Sequence, residues 1–240
     1  MRDAKSAVRR AIYGMVTGLA LVLAMAAVGA SPADADMQNP YGLTESKPLQ
    51  SDAKAGEVRL LAELQPDAFA GGLWKSTPRY HGVVWRKGGA AKEALLTAYA
   101  DDASVYDALV SLGAVPGNNL TMAAWNDRKD PASKAPDVRV EGTPVEVLVW
   151  WKGLASPLPL SALLTDSAGR GIDMRFGGNK ALIPEWHSGC IACLYSCPGG
   201  KVSNHAYTIR DYVKGTTQFS VNRSVVPEGT RPAVVILKKK

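Results

Sequence analysis

Cysteine is scarce in this chain. Its three cysteines all fall between His187 and Gly200, in the run His-Ser-Gly-Cys-Ile-Ala-Cys-Leu-Tyr-Ser-Cys-Pro-Gly-Gly. None follows the apolar stretch near the N-terminus, which excludes a lipoprotein anchor. The glycine-rich stretch from Gly169 to Gly178 lacks any phosphate-loop pattern, so nucleotide binding has no support. Internal repeats are missing as well. Lys238, Lys239 and Lys240 form a solvated basic end rather than a nucleic-acid or membrane surface.

Charge is also missing from Ile12 to Ala30, directly after the basic residues Arg2, Lys5, Arg9 and Arg10. Small residues close this run and offer cleavage after Ala30 or Ala35, so residues 1–35 are expected to be an export signal. Left uncleaved, the run would be a single membrane anchor, since a span needs about 20 apolar residues. Arg9-Arg10 leaves the twin-arginine route open beside the ordinary secretory one. Removing the four basic and two acidic residues of the signal leaves a net charge of about +4, which selects no partner. The expected location is the periplasm or cell exterior. An oxidising compartment pairs thiols, so an odd number of cysteines means either one thiol left over or all three held by one metal or cluster.

Residues 36–56 are polar and read as a flexible leader, with a single domain over 57–240. Glu57 to Phe69 fits a helical period interrupted by Pro66 about as well as a strand and a turn. Arg79–Trp85 and Glu93–Tyr99 read as two strands of a hairpin around Lys87-Gly88-Gly89. Val105, Leu109 and Leu112 define a helix over Ser104–Leu112, with Ser104 and Asp107 resembling a capping box, Asp101-Asp102 as a cap and Gly113 as the stop. Asp127 to Asp137 is a surface loop. Val145, Val147, Val149 and Trp151 alternate along the best core strand, where Trp150-Trp151 reads as packing rather than a ligand floor. Pro159–Thr165 reads as a short helix, and Ile172–Phe176, Tyr207–Val213, Thr217–Val221 and Pro232–Leu237 as strands. The expected fold is α+β: an antiparallel-rich mixed sheet with few short helices and a cysteine-bearing loop at 187–200.

Four segments taken together resemble the YdjY-type domain. They are Ser111-Leu112-Gly113-Ala114 with Pro116-Gly117-Asn118, the strand Val145 to Trp151, the Phe176-Gly177-Gly178 turn, and Pro227-x-Gly229-Thr230-x-Pro232. The similarity runs from about Arg79 to Leu237. The resemblance implies an exported bacterial protein without an established activity, with some relatives associated with iron–sulfur proteins, and it carries over no catalytic residue.

Cys190, Cys193 and Cys197 stand at C-x2-C-x3-C spacing with Pro198 directly after, like the close of a bacterial ferredoxin run whose first cysteine would fall at His187. The candidate ligands are therefore the three cysteines and His187, with His205 as the alternative fourth ligand and His81 as a distant third. Zinc in a Cys3His set is the next reading, although all three thiolates then crowd into eight residues. A disulfide plus a spare thiol is the plain one. The leading expectation is a non-catalytic domain holding an iron–sulfur cluster and passing electrons to a partner redox protein. The alternative is a disulfide- or zinc-stabilised extracytoplasmic binding or assembly module.

Overall fold

The chain enters its sheet through β1 (Leu49–Asp52), which pairs antiparallel with the first half of β2 (Glu57–Leu64). The computed structural model describes residues 38–70, 79–214 and 218–240, and the export signal expected at 1–35 lies outside the described residues. The segment 36–56, expected to be a flexible leader, is instead built into the fold from residue 38 onward. Leu43 is buried against Leu61, Val234 and Ile236, and Tyr41 stands edge-on to Trp150 with ring centroids 6.4 Å apart. One buried leucine among polar neighbours is enough here because the outer face of the sheet presents apolar residues that need cover from water.

Along β2 the period of two sends Val58, Leu60, Ala62 and Leu64 into the main core and Leu61 to the opposite face. Pro66 then opens the five-residue α1 (Pro66–Ala70), so the ambiguous stretch 57–69 is a strand followed by a helix with proline at its first position. The expected hairpin of β3 (His81–Trp85) and β4 (Leu96–Ala98) does not form. The two strands pair in parallel, Val83 opposite Leu96 and Trp85 opposite Ala98. Between them the turn Gly88 N–H to Trp85 O and a 3-10 turn at Ala91–Glu93 return the chain to the start of β3, where Leu95 N–H donates to His81 O.

Asp101 caps α2 (Asp102–Ser111) by accepting from Ser104 N–H at 2.7 Å, and Gly113 ends it at φ +75°. Thr121 caps the short α3 (Met122–Asn126) in the same way. β5 (Val145–Trp151) alternates as its sequence does: Val145, Val147, Val149 and Trp151 face the main core, while Leu148 and Trp150 pack on the opposite side. After β6 (Leu158–Pro159) the expected helix is one 3-10 turn at Leu160–Leu163, because Leu164 already starts β7 (Leu164–Asp166).

β8 (Met174–Phe176), α4 (Ile183–Trp186), β9 (Cys190–Cys193) and β10 (Val202–Asn204) follow. Most of Tyr207–Val213, expected as a strand, belongs instead to α5 (Ile209–Lys214). Thr208 Oγ1 accepts from Asp211 N–H at 3.2 Å while Asp211 Oδ2 accepts from Thr208 N–H at 3.0 Å, a reciprocal cap that overrides the β-rich composition. β11 (Phe219–Val221) pairs with β7 apart from the main sheet, and β12 (Arg231–Lys239) closes the fold.

The ten-stranded sheet runs β6-β5-β12-β2-β4-β3-β9-β10-β8, with β1 sharing one edge of β2 with β4. All pairings in it are antiparallel except β3 with β4 and β9 with β10. This is the antiparallel-rich α+β fold expected. Leu60 lies opposite Val235 of β12, and both are fully buried. Leu60→Ala is expected to cost about 2–5 kcal/mol, read from urea unfolding midpoints.

Candidate functional site

The cysteine run is not a loop at its start. Cys190 and Cys193 are the two ends of β9, which lies between β3 and β10 in the interior of the sheet. On a regular strand, residues three apart point to opposite faces. Here the register against β3 is broken twice. Val84 pairs with Cys190 and Val83 with Ala192, which leaves Ile191 as an extra residue, and His81 pairs with Cys193, which leaves Gly82 as another. Each bulge resets the alternation. Ile191, Ala192 and Leu194 therefore pack into the main core, while Cys190 and Cys193 turn to a separate cluster with Val84, Ala94 and Ile209.

Cys197 joins the same cluster from the turn that follows, where Gly200 N–H donates to Cys197 O at 3.1 Å and Ser203 Oγ donates to the same carbonyl at 3.1 Å. The two glycines after Pro198 are required by close approach. A Cβ on Gly200 would fall 2.9 Å from Cys193 Cβ and 2.5 Å from Ser203 Oγ, and one on Gly199 would fall 2.8 Å from the Trp186 ring. The three thiols are free and buried.

His81 completes the cluster. It lies directly across from Cys193, so both side chains project to one face. Its ring lies against the Cys190 thiol, and its Nδ1 is buried with no hydrogen-bond partner. Lys201, 1% exposed, stands behind the thiols with Nζ 3.9 Å from Asp102 Oδ2. A hydrogen bond from the Cys193 thiol, aided by His81 and Lys201, holds the Cys190 thiol down to about 5 against the opposing effect of burial. Burial, together with its two cysteine neighbours, pushes the Cys193 thiol well up. Of the three, the Cys190 thiol is thus the one most readily ionised.

Cys190 and Cys197 open, with His81, onto a cavity of about 390 Å³ walled by Tyr80, Trp125 and Trp186. The Trp125 and Trp186 rings meet at 4.7 Å between centroids, and the Arg128 guanidinium lies 3.9 Å from the centre of the Trp125 ring.

Neither of the other two histidines lines this cavity. His187 caps the C-terminus of α4 at φ +50° and is exposed, and His205 is half-buried with Nδ1 2.7 Å from Val140 O. The imidazole that the fold brings to the thiols is therefore that of His81, the remotest in sequence, rather than His187 or His205. Lys201 was not singled out from the sequence and Asp102 only as part of a helix cap, although a lysine directly after Gly199-Gly200 was the available signal. Trp151 is core packing, as expected.

Among the described residues, no group of three or more His, Cys, Asp and Glu side chains converges on a common centre as a metal site does. The donor types fit soft metal chemistry: three sulfurs, one imidazole with an unused nitrogen, and a buried ammonium to offset thiolate charge.

The fold and the site together define a single α+β domain with a thiol cluster seated in its sheet. A family model, the YdjY domain, matches residues 49–238, and the chain belongs to that family. It is 34% identical over 227 residues to a protein of Escherichia coli strain K12 described as "Uncharacterized protein YdjY", which covers 92% of this chain and 94% of that protein. No solved structure matches the chain.

Two outcomes are expected of the metal-free protein. Limited treatment with iodoacetamide at pH 7, mapped by mass spectrometry, should label Cys190 first and Cys193 last, with the Cys190 rate falling as pH drops through about 5 because protonation removes the thiolate. Gly200→Ala should destabilise by about 1–3 kcal/mol in denaturant titrations through overpacking against Cys193 and Ser203.

Proposed function

We propose that this domain holds an iron–sulfur cluster through Cys190, Cys193 and Cys197 and, after export, passes electrons to a partner redox protein without itself catalysing a reaction. One observation carries the reading: every cysteine of the chain meets in a single buried group, and that group opens onto an aromatic-walled cavity larger than one ion needs. When bound, the cluster supplies one-electron transfer. The chain's own residues shape its surroundings. The thiols of Cys190 and Cys197 face the cavity, Gly199 and Gly200 let the backbone close over them, and Trp125 and Trp186 form part of its wall. Lys201 offsets negative charge from behind.

The alternative, a disulfide- or zinc-stabilised extracytoplasmic binding or assembly module, is favoured by one contact. The Cys193 thiol lies against both Cys190 and Cys197, close packing that suits a single ion or a sulfur–sulfur bond. Purification of the domain without oxygen, with visible absorption and iron, sulfide and zinc analysis, separates the two. The expected result is a coloured protein with iron and sulfide that are both lost when the three cysteines are changed to serine. Colourless protein carrying zinc, or colourless metal-free protein with a single titratable thiol, overturns the cluster.

A further inference from the structure

We infer that His81 is the fourth donor of the cysteine site, so that a strand more than a hundred residues upstream of the run completes a Cys3His set. The inference rests on the reading of the cysteines as ligands, but it does not depend on which metal they hold. Three independent features of His81 lead to it. It is 8% exposed, yet its Nδ1 has no hydrogen-bond partner, and an unsatisfied polar atom at that depth is costly unless something occupies it. It sits across from Cys193 in the β3–β9 ladder, which fixes its side chain on the cysteine face. Its ring also lines the cavity onto which Cys190 and Cys197 open.

Charge favours an imidazole over a fourth thiolate. Three buried thiolates around a divalent ion leave one excess negative charge. The buried ammonium nearby, on Lys201, is already shared with Asp102 at 3.9 Å. A neutral donor adds nothing to this imbalance, whereas a fourth thiolate would double it. The Tyr80 ring, 4.0 Å from that of His81, limits the ring's movement and helps aim it. His187, placed by the spacing where a ferredoxin has its first cysteine, is exposed at a helix end, and neither it nor His205 lines the cavity onto which Cys190 and Cys197 open.

The test uses Co²⁺ as the probe, added without oxygen to the metal-free protein, with the thiolate-to-cobalt and ligand-field absorption bands followed during titration. Co²⁺ favours the same tetrahedral nitrogen and sulfur set as zinc. His81→Ala should weaken binding by more than the roughly 10–100-fold that loss of an outer-shell partner costs, and should lower the ligand-field intensity as water takes the fourth place. His187→Ala and His205→Gln should change neither quantity.

Because His81 is buried, its replacement can also disturb the sheet, and a second measurement leaves it in place. The double variant His187→Ala with His205→Gln retains His81 as the sole histidine of the chain. Its cobalt form should show one strongly shifted imidazole N–H signal by proton NMR. Absence of that signal, cobalt affinity within twofold of the parent in His81→Ala, or failure of the parent to bind cobalt each overturns the inference. Cobalt binding through His81 in a protein that purifies without iron and sulfide would uphold it while sinking the cluster reading.

Discussion

The pairing of β3 with β9 carries an extra residue on each strand, at Gly82 and at Ile191, and these irregularities decide which side chains meet. Without them, Cys190 and Cys193 would stand on opposite faces of the sheet, and no two cysteines of β9 could serve one site. With them, a C-x2-C spacing that normally needs a loop is accommodated inside a strand whose intervening residues, Ile191 and Ala192, still pack in the core. Bulges occur often beside functional sites because they redirect a side chain without ending the strand. The residue opposite, His81, is carried to the thiols by the same pairing. The turn at Cys197 then has only to fold back, which Gly199 and Gly200 permit by lacking the Cβ atoms that would strike Trp186 and Cys193.

The electrostatics of the site follow from its depth. An ionised sulfur in an apolar cluster is costly, so a cation must come with it or the sulfur stays protonated. Lys201 is that cation, and burial presses its own pKa down even as Asp102 and the cysteines support its charge. Asp102 in turn is pushed up by burial, against the pull of Lys201. It lies in the first turn of α2, where the partial positive charge of the helix terminus favours a carboxylate. Thiols, lysine, carboxylate and helix end therefore form one alternating series of charges. Removing Lys201 alone would leave Asp102 and a thiolate as uncompensated charges in the same interior.

How much of this could be read from the sequence depended on the distance over which the signals act. The alternation in Val145–Trp151 is local and strong, and β5 follows it residue by residue. The cap at Asp101 and the stop at Gly113 were equally legible. Thr208 and Asp211 formed a capping pattern as short as any, yet the β-rich composition of Tyr207–Val213 masked it. The parallel pairing of β3 with β4 was not legible, because the connecting residues look like a hairpin turn and only the wider sheet shows that the edge of β2 beyond β1 is taken by β4. The cysteines marked the site from spacing alone. Their fourth companion did not, because cross-strand neighbours such as His81 and Cys193 leave no trace in linear spacing.

The size of the core bears on what such a site is for. Small metal domains fold only when the ion is bound, because their own apolar burial is too limited. This domain has two further clusters of buried residues, one on each face of a ten-stranded sheet, that owe nothing to the cysteines. The cysteine side chains themselves pack with Val84, Ala94 and Ile209 as small apolar groups, so the cluster is already stable as a piece of core. A metal that merely stapled this fold would replace adequate packing with buried charge and contribute little net stability. The lysine held in the interior, the imidazole with an unused nitrogen and the cavity beside two of the sulfurs all carry a cost that packing alone would not retain. That balance is the physical argument behind the proposed redox centre as against a structural staple.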